Sequence, residues 1–179
     1  VSMATTEIKQ PSFAATTPVS VGKVGIKSKD AQALADYYKS VVGLSEVARR
    51  PGVIVLGAGG DGFFEIEDVK LLRPDDPRSA GLFHTAFLLP GRADLARWTQ
   101  HAIDRKIAID GASDHLVSEA VYLTDPEGNG IEIYADRDRS AWGWDGNSVR
   151  MATDALDFRN LMATHQPKSG DWQGAPDGT

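Results

Sequence analysis

The chain has 179 residues, of which 41% are hydrophobic and 25% charged, with eighteen Gly, nine Pro and no Cys. That length supports one large domain or two small ones, and the composition excludes collagen-like and disordered classes. Without cysteine there is no disulfide, thiol nucleophile or thiolate metal site, and the net charge of −6 argues against a nucleic-acid surface.

Residues 1–19 are polar and aperiodic and read as a flexible tail. They lack both the basic start and the apolar block of a signal peptide, and no apolar run in the chain approaches the roughly 20 residues that span a bilayer. The expected location is the cytoplasm. From Val19, apolar residues alternate through Ile26, the period of a half-buried strand. Ser28 is placed to cap a helix carrying Ala31, Leu34, Ala35, Tyr38, Val41 and Val42, and Gly43 stands where that helix would end. Three strand-like runs follow at Ser45–Ala48, Gly52–Leu56 and Gly62–Glu67, separated by Gly-rich turn signals. A Pro/Asp-rich stretch, Arg73–Ala80, ends this unit.

The second unit repeats the order. Leu82–Leu89 reads as a strand, Leu95, Ala96, Trp98, Ala102 and Ile103 as a helix, and Ile107–Ile109, Glu119–Thr124 and Gly130–Tyr134 as strands. An offset of 61 residues superposes Ile26 on Phe87, Leu34 on Leu95, Ala35 on Ala96, Tyr37 on Trp98 and Val42 on Ile103. An offset of 67 superposes Phe64, Glu65 and Ile66 on Ile131, Glu132 and Ile133. The fold class is therefore α+β: two paired βαβββ modules, 20–72 and 81–138, forming an open eight-stranded mixed barrel-like sheet over 20–138. Residues 139–179 read as a tail with a short helix, 154–164, capped by Thr153, and then a Pro/Gly/Ser/Asp linker. Trp142 and Trp144 would pack the tail on the barrel or form a subunit contact.

Four positions are set by the repeat: Lys23, Glu65, His84 and Glu132. His84, Glu132 and Glu65 converging inside the paired sheets would suit Fe(II), Mn(II) or Zn(II). A plainer reading stays open beside it, in which Glu132 faces solvent and His84 is a hydrogen-bonded core histidine. Lys23 occupies the place where a second histidine would complete the set; a protonated lysine does not coordinate, and it would instead pair with Glu132, leaving the cavity without its ion. His115 is a candidate general acid/base and Tyr122 a candidate for orienting a substrate oxygen, against the alternatives of a solvated loop histidine and a packing tyrosine. His101 and His165 read as solvated.

Val24-Gly25-Ile26, Gly81-Leu82-Phe83-His84 and above all Ala120–Tyr134, with its Asp125-Pro126-Glu127-Gly128-Asn129-Gly130-Ile131-Glu132 run, resemble the vicinal oxygen chelate superfamily of glyoxalases, bleomycin-resistance proteins and extradiol dioxygenases. The Asp114-His115…Ser118-Glu119…Tyr122 run is most similar to catechol 2,3-dioxygenases. That resemblance implies non-haem Fe(II), dioxygen, cleavage of a small aromatic diol, and a homodimer, with the superfamily's metal positions falling on Lys23, Glu65, His84 and Glu132. Catechol 2,3-dioxygenases carry two module pairs with iron in the second, so this chain resembles an N-terminal half whose pair lacks the metal. Two other functions are weighed: a metal-free binding or dimerisation domain, and a glyoxalase-like metalloenzyme, against which Lys23 counts.

Overall fold

The computed structural model describes residues 19–73, 78 and 80–179. The tail expected over 1–19 therefore lies, apart from Val19, outside the described residues, as does much of Arg73–Ala80. The first module runs β1 (Val24–Ser28), α1 (Ala31–Val41), β2 (Ser45–Arg50), β3 (Val53–Ala58) and β4 (Asp61–Asp68). Its sheet order is β1-β4-β3-β2, with β1 parallel to β4 and the other pairs antiparallel. The second module runs β5 (His84–Leu89), α2 (Arg92–Arg105), β6 (Gly111–Asp114), β7 (Ser118–Thr124) and β8 (Gly130–Asp136). It repeats the order as β5-β8-β7-β6, with β5 parallel to β8. The duplication read from the offsets is thus a duplication of topology. The eight strands lie in two mixed sheets, and they do not close into a barrel among the described residues.

Local chemistry places the elements. In α1 the apolar residues Ala31, Leu34, Ala35, Tyr38 and Val41 recur at three- and four-residue steps and are buried along one stripe. Asp30 caps the helix through Oδ1, which accepts from Ala33 N. Ser28, expected as the cap, lies just outside: its Oγ accepts from Asp30 N and donates to Glu127 of the other module. The strand expected at Ile107–Ile109 begins instead at Gly111. Lys106 ends α2 in the left-handed region, and pairing with β7 takes up only at Asp110, whose N–H donates to Tyr122 O.

One core serves both modules. Tyr38, Phe64 and Phe87 meet with ring centroids 4.5, 5.6 and 6.1 Å apart. Tyr38 OH donates to Asp125 Oδ2 at 3.0 Å, and Trp98 Nε1 donates to Val41 O at 2.9 Å. Asp125 is 4% exposed and also accepts from Glu127 N and Asn129 N, so the first module's helix grips the turn that launches β8.

The tail is more ordered than its composition suggests. A hairpin of β9 (Trp144–Asp145) and β10 (Ser148–Val149) follows the second module, and β11 (Asp154–Ala155) pairs antiparallel with β6, widening that sheet to five strands. Trp142 and Trp144 lie 6.5 Å apart with the Arg139 guanidinium over both rings. The helix expected over 154–164 is α3 (Phe158–His165), capped by Asp157 and not Thr153, because β11 takes up the first residues. Residues 166–179, read as linker, run back over the core: Trp172 and Ala175 pack against it, and Ala175 N donates to Gly43 O at 2.8 Å. Gly43 has φ +84° and admits this strap because a Cβ there would stand 2.7 Å from Ala175 N. No helix among the described residues is long and apolar enough to cross a membrane.

Candidate functional site

Strand period builds the site. Along β8, Ile131 and Ile133 point into the core, so Glu132 faces the other side of the sheet, where it is 9% exposed. β5 lies beside β8 in parallel with His84 opposite Gly130, and β7 lies on the other flank with Tyr122 directly opposite Glu132. A carboxylate at that depth requires partners. His84 Nε2 lies 2.8 Å from Glu132 Oε2, and Tyr122 OH donates to Glu132 Oε1 at 3.2 Å. His115, in the turn between β6 and β7, places Nε2 2.7 Å from Tyr122 OH and Nδ1 2.8 Å from Ala152 O. Four side chains thus form one continuous chain of contacts, His84–Glu132–Tyr122–His115. Three of them, with Phe83 and Asp110, line a cleft of about 470 Å³.

Hydrogen-bond logic fixes the protons. The Ala152 carbonyl can only accept, so His115 Nδ1 donates to it and Nε2 is the ring nitrogen that faces the Tyr122 hydroxyl. Tyr122 has one proton for two acceptors. Its hydroxyl lies 2.7 Å from His115 Nε2 and 3.2 Å from Glu132 Oε1 and can serve one of them at a time. Burial, followed by the Glu132 charge and hydrogen bond, pushes the Tyr122 phenol up to about 12. Tyr134, next along the same face of β8, is likewise pushed to about 12 by burial and by Asp136 and Glu132.

The turn holding His115 is braced. Asp114 accepts from Leu116 N and takes two bonds from Arg137, both at 2.7 Å, while Leu116 sits at φ 68°. Arg137 also donates to Glu119, which is 3% exposed and shared with Arg92. The Arg137 guanidinium holds the Asp114 carboxyl below its ordinary value.

Lys23 and Glu65 stand apart from this chain of contacts. Lys23 Nζ lies 2.8 Å from Glu65 Oε1, not beside Glu132, and Arg50 donates to Glu65 Oε2 at 2.8 Å. The reason is topological: β1 and β4 are parallel neighbours, as β5 and β8 are, so each module pairs its own first and last strands. Lys23–Glu65 is the first module's equivalent of His84–Glu132. The Lys23 ammonium, then Arg50, draw the Glu65 carboxyl below its ordinary value. The expected trio of His84, Glu132 and Glu65 does not assemble, and among the described residues no group of three or more His, Asp or Glu side chains is placed to hold a metal. His101 is not merely solvated, since its Nε2 lies 2.9 Å from Ser40 O; His165 has a buried Nε2 with no hydrogen-bond partner. The Ala152 carbonyl and the Arg137 brace escape sequence reasoning. The first is a backbone group with no residue signature, and the second joins positions 23 and 18 residues apart.

Residues 20–133 match the family described as the Glyoxalase/Bleomycin resistance protein/Dioxygenase superfamily. A catechol-2,3-dioxygenase of Bacillus subtilis (strain 168) is 37% identical over 156 residues, which is 82% of this chain and 51% of that protein. The chain therefore spans about half the length of that relative. Among solved structures, a glyoxalase/dioxygenase from Nostoc punctiforme superposes with a TM-score of 0.55 at 24% identity, over 66% of this chain and 92% of its own. A lactoylglutathione lyase from Agrobacterium tumefaciens gives 0.53 at 22% identity, over 71% and 98%. At those identities the two structures speak to the fold.

Proposed function

The chain belongs to the glyoxalase/bleomycin resistance protein/dioxygenase superfamily, and from that premise we propose that it is an extradiol-type, catechol 2,3-dioxygenase-like module that acts on a small aromatic diol. The single observation that carries this reading is the run His84–Glu132–Tyr122–His115, three members of which line one cleft with Glu132 directly behind them. An imidazole nitrogen and a carboxylate oxygen 2.8 Å apart are donor types that Fe(II), Mn(II) and Zn(II) accept. His84 and Glu132 would hold the ion, with the remaining positions taken by water or by the diol. Fe(II) would supply the electron chemistry with dioxygen that no side chain provides. In the overall reaction the ring carbon–carbon bond beside the diol breaks and both oxygen atoms of dioxygen enter the product.

The side chains carry the rest. Phe83, 86% exposed at the mouth of the cleft, offers a ring face beside His84, 5.0 Å away between centroids. Tyr122 OH would orient a diol oxygen, and His115 Nε2 would take that oxygen's proton through Tyr122 and return it to the product. The metal-free binding domain is the second reading, and the Lys23–Glu65 ion pair favours it, because the first module then offers a cation where the second offers an imidazole.

Metal analysis of the purified chain, followed by anaerobic Fe(II) loading and addition of catechol and dioxygen, tests the proposal. Stoichiometric iron and a yellow ring-opened product, both lost in His84→Ala, are expected. A chain that takes up no metal and opens no ring, yet keeps its stability in His84→Ala, would leave the binding-domain reading.

A further inference from the structure

The lining of the cleft carries a carboxylate, that of Asp110, and no ammonium or guanidinium among the described residues. Several cations of the two modules are already engaged: Lys23 and Arg50 hold Glu65, and Arg137 and Arg92 hold Asp114 and Glu119. Behind the wall, Glu132 adds a second carboxylate in contact with His84 and Tyr122. Asp110 is fixed in place, because its N–H donates to Tyr122 O and its Oδ2 accepts from Thr124 Oγ1 at 2.6 Å. Its second oxygen is left for a donor on a ligand. The exposed Phe83 ring offers an aromatic face at the same mouth, a surface that also attracts cations.

Resting on the ring-cleaving reading above, we infer that the cleft takes catechols whose ring substituent is neutral or positively charged and rejects those that carry a carboxylate. A substituent carboxylate brought into the cleft would lose water, find no guanidinium or ammonium to replace it, and face Asp110. An ammonium on a short side chain would find both the Asp110 carboxylate and the Phe83 ring. The neutral case depends on Phe83 alone and falls between them.

The test measures binding before turnover. Three probes share the diol and differ in charge: 4-methylcatechol, dopamine and 3,4-dihydroxybenzoate. Titrated under nitrogen into the full chain, with and without Fe(II), dopamine is expected to bind at least as tightly as 4-methylcatechol and about tenfold or more tighter than dihydroxybenzoate. Asp110→Asn is expected to narrow the gap between dopamine and dihydroxybenzoate severalfold. Tighter or equal binding of dihydroxybenzoate, an unchanged gap in Asp110→Asn, or no binding of any probe overturns the inference. The same three compounds are then offered with dioxygen. The expected binding order without ring opening would sink the ring-cleaving reading and leave the charge selection standing, whereas ring opening with the reverse order would do the opposite.

Discussion

His115 and Ala152 clasp each other in both directions: the imidazole Nδ1 lies 2.8 Å from the Ala152 carbonyl, and the Ala152 amide donates to the His115 carbonyl at 3.3 Å. A residue of the C-terminal tail therefore sets which nitrogen of the histidine faces the cleft. In a long-range 1H–15N correlation spectrum at about pH 9, where imidazoles are neutral, His115 is expected to carry its proton on Nδ1. Tyr122→Phe should leave it there. A proton on Nε2 in either protein would show that the tail does not govern the ring.

Tyr122→Phe removes the hydroxyl that links His115 to Glu132. With Fe(II) loaded, kcat is expected to fall by about 10²-fold, the usual worth of a positioned proton-transfer group. Melting temperature should fall only modestly, since the ring still packs and His84 still partners Glu132. A variant with full turnover would remove Tyr122 from the relay.

Arg137→Ala strips Asp114 of both its guanidinium bonds and takes one of the two cations from buried Glu119. A loss of about 2 kcal/mol is expected, because a buried carboxylate stripped of a partner costs several times what an exposed pair is worth. Chemical denaturation measures it, and Glu119→Gln placed on top of Arg137→Ala should recover part of the loss.

His165 gives the fold an acid-sensitive point. Burial, and then the positive charge of Arg92, hold its pKa below the ordinary value, so the unfolded chain binds that proton more readily than the folded one. Its contribution is intact above about pH 6.5, the unfolded value, and is lost as pH falls below it until the folded form also protonates. His165→Gln should therefore flatten the decline in melting temperature between about pH 7 and 5 relative to the parent chain. Parallel curves would exclude His165 as the source.

Gly43→Ala places a Cβ at φ +84° and within 2.7 Å of Ala175 N. The strain and the displaced strap together should cost about 1–3 kcal/mol. Hydrogen exchange at the Ala175 amide, which donates to Gly43 O, should accelerate more than at any amide of β7. Unaltered protection at Ala175 would mean that the strap is not seated there in solution.

Much of this architecture is legible in the sequence because it is written in buried side chains. Ile26, Leu34, Leu95, Ile131 and Ile133 repeat at fixed offsets since equivalent strands and helices need apolar faces at equivalent places. Short polar strands carry no such signature, which is why the apolar pattern points to Ile107–Ile109 and β6 forms from Gly111. Pairing between ions is harder still. Four equivalent positions do not say whether Lys23 meets Glu132 or Glu65; only the parallel β1–β4 register decides it. The segment 166–179 has a linker's composition, yet Trp172 and Ala175 anchor it, and two side chains outweigh the average of fourteen residues.

The contacts from α1 to the Asp125 turn make the two halves of the duplication unequal in their tolerance of change. Tyr37 and Tyr38 reach across to Thr124 and Asp125, at the start of the turn that leads into the strand carrying Glu132. The first half thus works as a mould for the second. It can surrender its own polar face to an ordinary surface ion pair without penalty, but a helix turned by even a few degrees would be printed onto the geometry of its neighbour's reactive groups.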